Sequence, residues 1–182
     1  MILLIAGLLL WAAAHYFKRL APDVRERMGD PGKGLVAVAI VASLVMMIYG
    51  YRWADWVTVW TPPSFMVHVN NLLMLIAFFV YGISATTGRL RGAMRHPQLI
   101  AVKIWATAHL LVNGDLASVI LFGGLLAWAV GSVILINRSE PEWQRPAPGE
   151  AKKDILLVVI TLVSFAAVAG IHVWLGVWPF PS

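Results

Sequence analysis

Cysteine is absent from the 182 residues. That excludes disulfides, thiolate ligands, iron–sulfur clusters and covalent haem attachment through C-x-x-C-H, so any metal must be held by histidine, carboxylate, amide or backbone groups. Charge is scarce as well. Asp, Glu, Lys and Arg make up 13% of the chain, against about 25% in soluble domains. What is abundant is hydrophobicity, at 60%, in runs spread from end to end. Once these runs are assigned to a bilayer, no soluble domain is left over, and residues 1–182 read as a single transmembrane domain.

The formal net charge of +5 does not point to nucleic acid, because the basic residues are not interleaved with a stacking platform or a recognition fold. They sit between the apolar spans. Contact with membrane lipids is the partner this composition implies. The N-terminus, MILLIAGLLLWAAAHYFKR, has Ala12 to Ala14 where a signal peptide has a cleavage site, but it lacks a positive n-region and its basic residues follow the apolar run. It is expected to be a retained first span.

Apolar segments at about 2–17, 34–52, 65–85, 98–113, 115–136 and 154–176 reach or approach the roughly 20 residues that cross a bilayer. The expected fold is all-α, a bundle of six transmembrane helices. Loop Lys and Arg favour the cytoplasmic side, and twelve of the fourteen basic residues fall in 18–33, 86–97 and 137–153. Both termini are therefore expected on the outer, periplasmic side. Trp53, Trp56 and Trp60 have a helical spacing that predicts an interfacial turn with three indoles on one face. Pro62 and Pro63 would end it and start the third span. Asn113-Gly114-Asp115 predicts a tight hairpin between spans four and five, with Asp115 capping the fifth. Gly123, Ala127 and Gly131, and likewise Ala166 and Gly170, predict close-packed helix faces.

Within Arg95–Asp115, RHPQLIAVKIWATAHLLVNGD, Lys103 and His109 lie at membrane depth. Ionisable side chains there are costly and usually face a partner helix, a cavity or a cofactor. His109 sits about 18 Å along its span at 1.5 Å per residue. Asn113, four residues on, either fixes the free nitrogen of that imidazole or serves only the turn. His96, held extended by Pro97, is a junction residue. His15, His68 and His172 complete the histidine set.

The segment RHPQLIAVKIWATAHLLVNGDLASVILFGG, with a His at the end of span one and Gly-Ile-His near the C-terminus, resembles the NnrU family of bacterial membrane proteins. That family is associated with denitrification and nitric oxide metabolism and is related to the plant ζ-carotene isomerase, which holds haem b between two histidines. The resemblance implies a multi-pass protein of the bacterial inner membrane and noncovalent, bis-histidine haem b. It carries the ligands onto His15 and His109. Arg91, Arg95 and Lys103 are candidate propionate partners or lipid contacts. Where the isomerase has a redox-switching Cys, this chain has Ala106, so that switch cannot operate. The first His is followed by Tyr16-Phe17-Lys18 instead of small polar residues.

Helical rise puts His15 and His109 at depths differing by about 10 Å. Depth alone would pair His109 with His68 or His172, which stand as reserve ligands. Three functions follow as expectations: a haem protein in nitrogen-oxide metabolism with a redox, sensing or maturation role, an isomerase of a lipid-soluble polyene, or a non-catalytic assembly factor for a respiratory or denitrification complex. A membrane methyltransferase shares an R-H-P stretch. The segment NRSEPEWQRPAPGEAKKD supplies no cofactor-binding continuation for it.

Overall fold

The computed structural model describes residues 1–181 and is all-helical apart from one isolated bridge. Seven α-helices occur in chain order: α1 (Ile2–Leu20), α2 (Pro22–Arg27), α3 (Gly29–Arg52), α4 (Met66–Ala85), α5 (Pro97–Val112), α6 (Leu116–Ser139) and α7 (Ala151–Trp174), with a 3-10 turn at Arg89–Gly92. Five of them, α1, α3, α4, α6 and α7, are long and apolar enough to cross a membrane. At 16 residues, α5 spans about 24 Å by helical rise, short of the roughly 30 Å hydrocarbon core. Leu9, Val38 and Val163 are more than half exposed. Such a surface is costly in water and ordinary against lipid chains.

The chain divides into two compact units. The first comprises Met1–Thr61 and Asn113–Pro141, and therefore α1, α2, α3 and α6. Here α1 packs along α3 and α6. Two glycines allow the α1–α3 approach: a side chain on Gly50 would strike the backbone of Leu3 and Leu4, and one on Gly7 would strike the backbone of Met47. On α6 the contact face runs through Gly124, against Leu8, and Gly131, against the Tyr16 hydroxyl. The expected small-residue faces are thus only partly used. Gly123 and Gly170 meet open space, because the buried stripe of α6 runs one residue out of phase with Gly123 and α7 packs through Leu157 and Thr161.

The second unit comprises Pro62–Val112 and Glu142–Ser182, with α5 and α7 each packed on α4. Gly82 of α4 lies against the Leu157 side chain, and Phe78 meets Phe165 edge-on with ring centroids 6.3 Å apart. The Asn113-Gly114-Asp115 turn leads from one unit into the other. Within the units, the most extensively packed helix pairs are α1–α3 and α4–α5.

Two connections differ from expectation for identifiable reasons. Residues 18–33, expected as a basic loop, are largely helical: Lys18 and Arg19 occupy the last turn of α1, Pro22 opens α2, and Asp30 in the first turn of α3 pairs with Lys33 at 2.7 Å. Cations at a helix C-terminus and anions at an N-terminus favour those ends. Gly29, at φ 55°, makes the bend between α2 and α3. The tryptophan segment is not a helical turn. Residues 54–60 run without helix, and Thr58 forms an antiparallel bridge with Asp115. Val59 N and Trp60 N both donate to Gly114 O (2.8 and 3.1 Å), and Leu116 N donates to Val57 O (2.8 Å). β-Branched Val57, Thr58, Val59 and Thr61 suit this extended form, and the two prolines prevent helix before Met66.

Asp115 caps α6 as the turn chemistry predicts. Its Oδ1 accepts from Ser118 N at 2.9 Å and its Oδ2 from Ser118 Oγ at 2.5 Å, while Tyr51 Oη and Ser118 Oγ are 2.8 Å apart. Asp115 and Ser118 are both buried, so this network satisfies polar groups that would otherwise cost about 1–3 kcal/mol each.

Candidate functional site

A histidine in a helix leans toward the N-terminus and reaches the carbonyl one turn back. Three of the five do so. His15 Nδ1 lies 2.8 Å from Trp11 O, His109 Nδ1 2.9 Å from Trp105 O, and His172 Nδ1 2.8 Å from Val168 O. A carbonyl only accepts, so Nδ1 carries the hydrogen and donates. In the neutral ring Nε2 then keeps its lone pair, which is the form that binds a metal. All three imidazoles are part-buried.

Two of these histidines end the same pentad, W-A-x-A-H. It occurs as Trp11-Ala12-Ala13-Ala14-His15 in α1 and as Trp105-Ala106-Thr107-Ala108-His109 in α5, one copy in each unit. The small residues leave room for the ring, and the tryptophan four residues back covers it. Ring centroids are 4.2 Å apart for Trp11–His15 and 5.2 Å apart for Trp105–His109. Sequence reading took the histidines singly and missed the pentad, although the repeat was visible.

In the first unit, Trp128 of α6 closes the other side of His15, with ring centroids 4.9 Å apart and planes at 69°. Trp11 and Trp128 meet edge-on at 5.3 Å. Tyr16 Oη donates to Trp128 O at 2.8 Å and holds that part of α6 in place. Both indole Nε1 atoms are buried without a hydrogen-bond partner. Two orphaned donors therefore flank one imidazole, an arrangement that asks for an acceptor.

In the second unit, His109 lies within electrostatic reach of His172. Their helices, α5 and α7, both pack on α4. His68 on α4 is exposed. Close by in sequence, Asn70 Nδ2 donates to Asn71 Oδ1 (3.1 Å) and Asn71 Nδ2 to Pro179 O (3.0 Å), while Asn70 Oδ1 is buried and unpartnered.

Lys103 and Arg95 separate from His109. Lys103 lines a groove of about 250 Å³ with Leu73, Ile100, Ile104 and Thr107. Six residues on a helix turn through 600°, so Lys103 and His109 lie on faces about 120° apart. Arg95 lies about 20 Å from His109 by helical rise and lines a different cavity with Arg91. His96 belongs to the junction ahead of Pro97, where its carbonyl accepts from Ile100 N at 2.9 Å. Asn113 stands in the turn that ends before α6. Among the described residues, no group of three or more His, Asp or Glu side chains converges as a metal cage.

The pattern of the NnrU protein family matches residues 3–179, and so runs through both units. No curated protein and no solved structure matches the chain.

Proposed function

We propose, from the premise that the chain belongs to the NnrU family, that it is a haem b protein of the bacterial inner membrane serving nitric oxide and denitrification metabolism. The observation that supports the reading is the shared clamp on three histidines, which puts the ring proton on Nδ1 and the lone pair on Nε2, the form of imidazole a metal takes. Without cysteine, a haem would be held noncovalently through such nitrogens. Bound haem would supply one-electron redox chemistry.

His109 is the first ligand in this reading. Its ring is fixed by Trp105 O and its depth removes it from bulk water. The resemblance names His15 for the other side of the iron. His172, clamped in the same way and within electrostatic reach of His109, is the alternative within the second unit. His68, being exposed, has less to recommend it. The residues' role is to fix ring orientation and tautomer and to exclude water. This fits electron transfer, redox sensing or a maturation step better than an open catalytic site.

The proposal includes six spans, with α5 crossing as a short helix, and both termini outside. The basic residues at 18–33, 86–97 and 137–153 support that orientation. Because the chain has no cysteine, single cysteines report topology without background. Glu142→Cys should react with a membrane-impermeant maleimide only after the membrane is opened from the cytoplasmic side, and Ser64→Cys in intact spheroplasts. The reverse pattern would overturn the orientation. For the cofactor, protein expressed with ample haem should give a b-type pyridine haemochrome and a Soret band. A colourless, folded preparation would sink the proposal. His15→Ala and His172→Ala then identify the second ligand, since only one should change the low-spin spectrum.

A further inference from the structure

We propose that the groove between α4 and α5 in the second unit binds a fatty-acid anion, with its carboxylate on Lys103 and its chain along α5. The groove, about 250 Å³ in volume, is lined by Leu73 of α4 and by Ile100, Lys103, Ile104 and Thr107 of α5. At 3.6 residues per turn the four α5 residues fall within about 100° of arc, a single stripe of the helix. His109 lies about 170° from the middle of that stripe, so the groove is separate from the proposed iron ligand. Three of its five side chains are aliphatic, and Lys103 is the one charged residue among the described residues that line it.

An ammonium in an apolar helix calls for a counter-charge, and the second unit does not supply one. Residues 66–112, which include α4 and α5, contain no Asp or Glu. The unit's acids are Glu142, Glu150 and Asp154, all at or before the first turn of α7. Of these, Glu150 pairs with Lys152 and Asp154 with Arg89. Among the described residues the Lys103 ammonium has no ion-pair or hydrogen-bond partner. The anion must therefore come from outside the chain. Thr107, one turn on and lining the same groove, brings a hydroxyl that can donate to a second carboxylate oxygen. Depth selects the kind of amphiphile. Arg89, Arg91 and Arg95 precede α5 and mark the level of lipid phosphates, whereas Lys103 lies six residues past Pro97, about 9 Å further along the helix. A carboxylate on a single chain reaches that level more readily than a hydrated phosphodiester carrying two chains. The volume, below the roughly 300 Å³ at which small-molecule pockets begin, suits a stretch of one acyl chain and excludes a tetrapyrrole.

The test is binding to the full-length protein in uncharged detergent, by titration and native mass spectrometry, with oleate, oleyl alcohol and phosphatidylglycerol as probes. Oleate should bind saturably and about tenfold more tightly than oleyl alcohol, which has a similar chain and no charge, as expected for one charge-assisted bond. Lys103→Gln should weaken oleate about tenfold and leave oleyl alcohol unchanged. Removing a charge from an apolar helix relieves a cost, so that variant should fold, which gel filtration checks. Thr107→Phe places a ring in the groove and should weaken oleate and oleyl alcohol alike, an effect not expected if Lys103 only snorkels to lipid headgroups. Lys33→Gln, an equal charge change in the first unit, should have no effect. Oleate affinity unchanged in Lys103→Gln or in Thr107→Phe, equal affinity for oleate and oleyl alcohol, or preference for phosphatidylglycerol over oleate would overturn the proposal. Haem content does not enter this readout, so its outcome is separate from that of the iron-ligand tests.

Discussion

His15 and His109 share a pentad, a clamped Nδ1 and a covering tryptophan, yet their surroundings differ. His15 sits between two indoles whose N–H groups lack partners. His109 is covered by Trp105, has a second imidazole, His172, within electrostatic reach, and has further interactions of its own. Ring orientation is therefore set locally, by helix geometry and the residue four places back. What else surrounds the ring is set by helices distant in sequence, as α6 does for His15.

The largest way to break the comparison is to remove the frame of one histidine and spare the other. Gly50→Leu should do this, because its side chain would meet the backbone of Leu3 and Leu4, and backbone cannot yield as a flexible side chain can. A loss of 3 kcal/mol or more is expected in the first unit, read as loss of His15-dependent tryptophan fluorescence at a lower denaturant midpoint. A midpoint equal to wild type would mean that α1 and α3 are not packed as described.

Asp115→Ala comes next. It removes the cap of α6 and leaves Ser118 N without its acceptor, for an expected cost of about 1–2 kcal/mol. Thermal unfolding in detergent checks it, and Asp115→Asn should recover part of the loss by keeping one acceptor oxygen.

Trp128→Phe sharpens the contrast with the smallest effect. It keeps an aromatic face on His15 and deletes an orphaned donor. In protein without cofactor the change should be neutral or stabilising by about 1 kcal/mol. Trp105→Phe, beside His109, should show no such gain, because Trp105 has interactions of its own. Destabilisation in Trp128→Phe would show that the buried indole already has an acceptor.

Much of this architecture was legible in the sequence because a bilayer imposes long apolar runs. The five longest helices fall where hydropathy puts them, and Asn113-Gly114-Asp115 announced both the turn and the Asp115 cap. Helix partners were not legible. Gly50 and Gly7 are unremarked residues in an apolar run until Leu4 and Met47 are brought against them. The Trp53–Trp60 segment has helical spacing, and its backbone instead joins the Gly114 turn, a tertiary pairing that overrides local periodicity. For the candidate site, the histidines could be named from sequence, and the pentad could have been. The placement of Trp128 against His15 depended on packing alone.

The central claim is that His109 Nε2 binds haem iron. Its most direct test is the haem content of His109→Ala, purified beside wild type after expression with ample haem and checked for folding by gel filtration. Wild type should carry haem b, and the variant should lose the Soret band or shift it to a high-spin form. A variant retaining the wild-type low-spin spectrum at full occupancy would contradict the account.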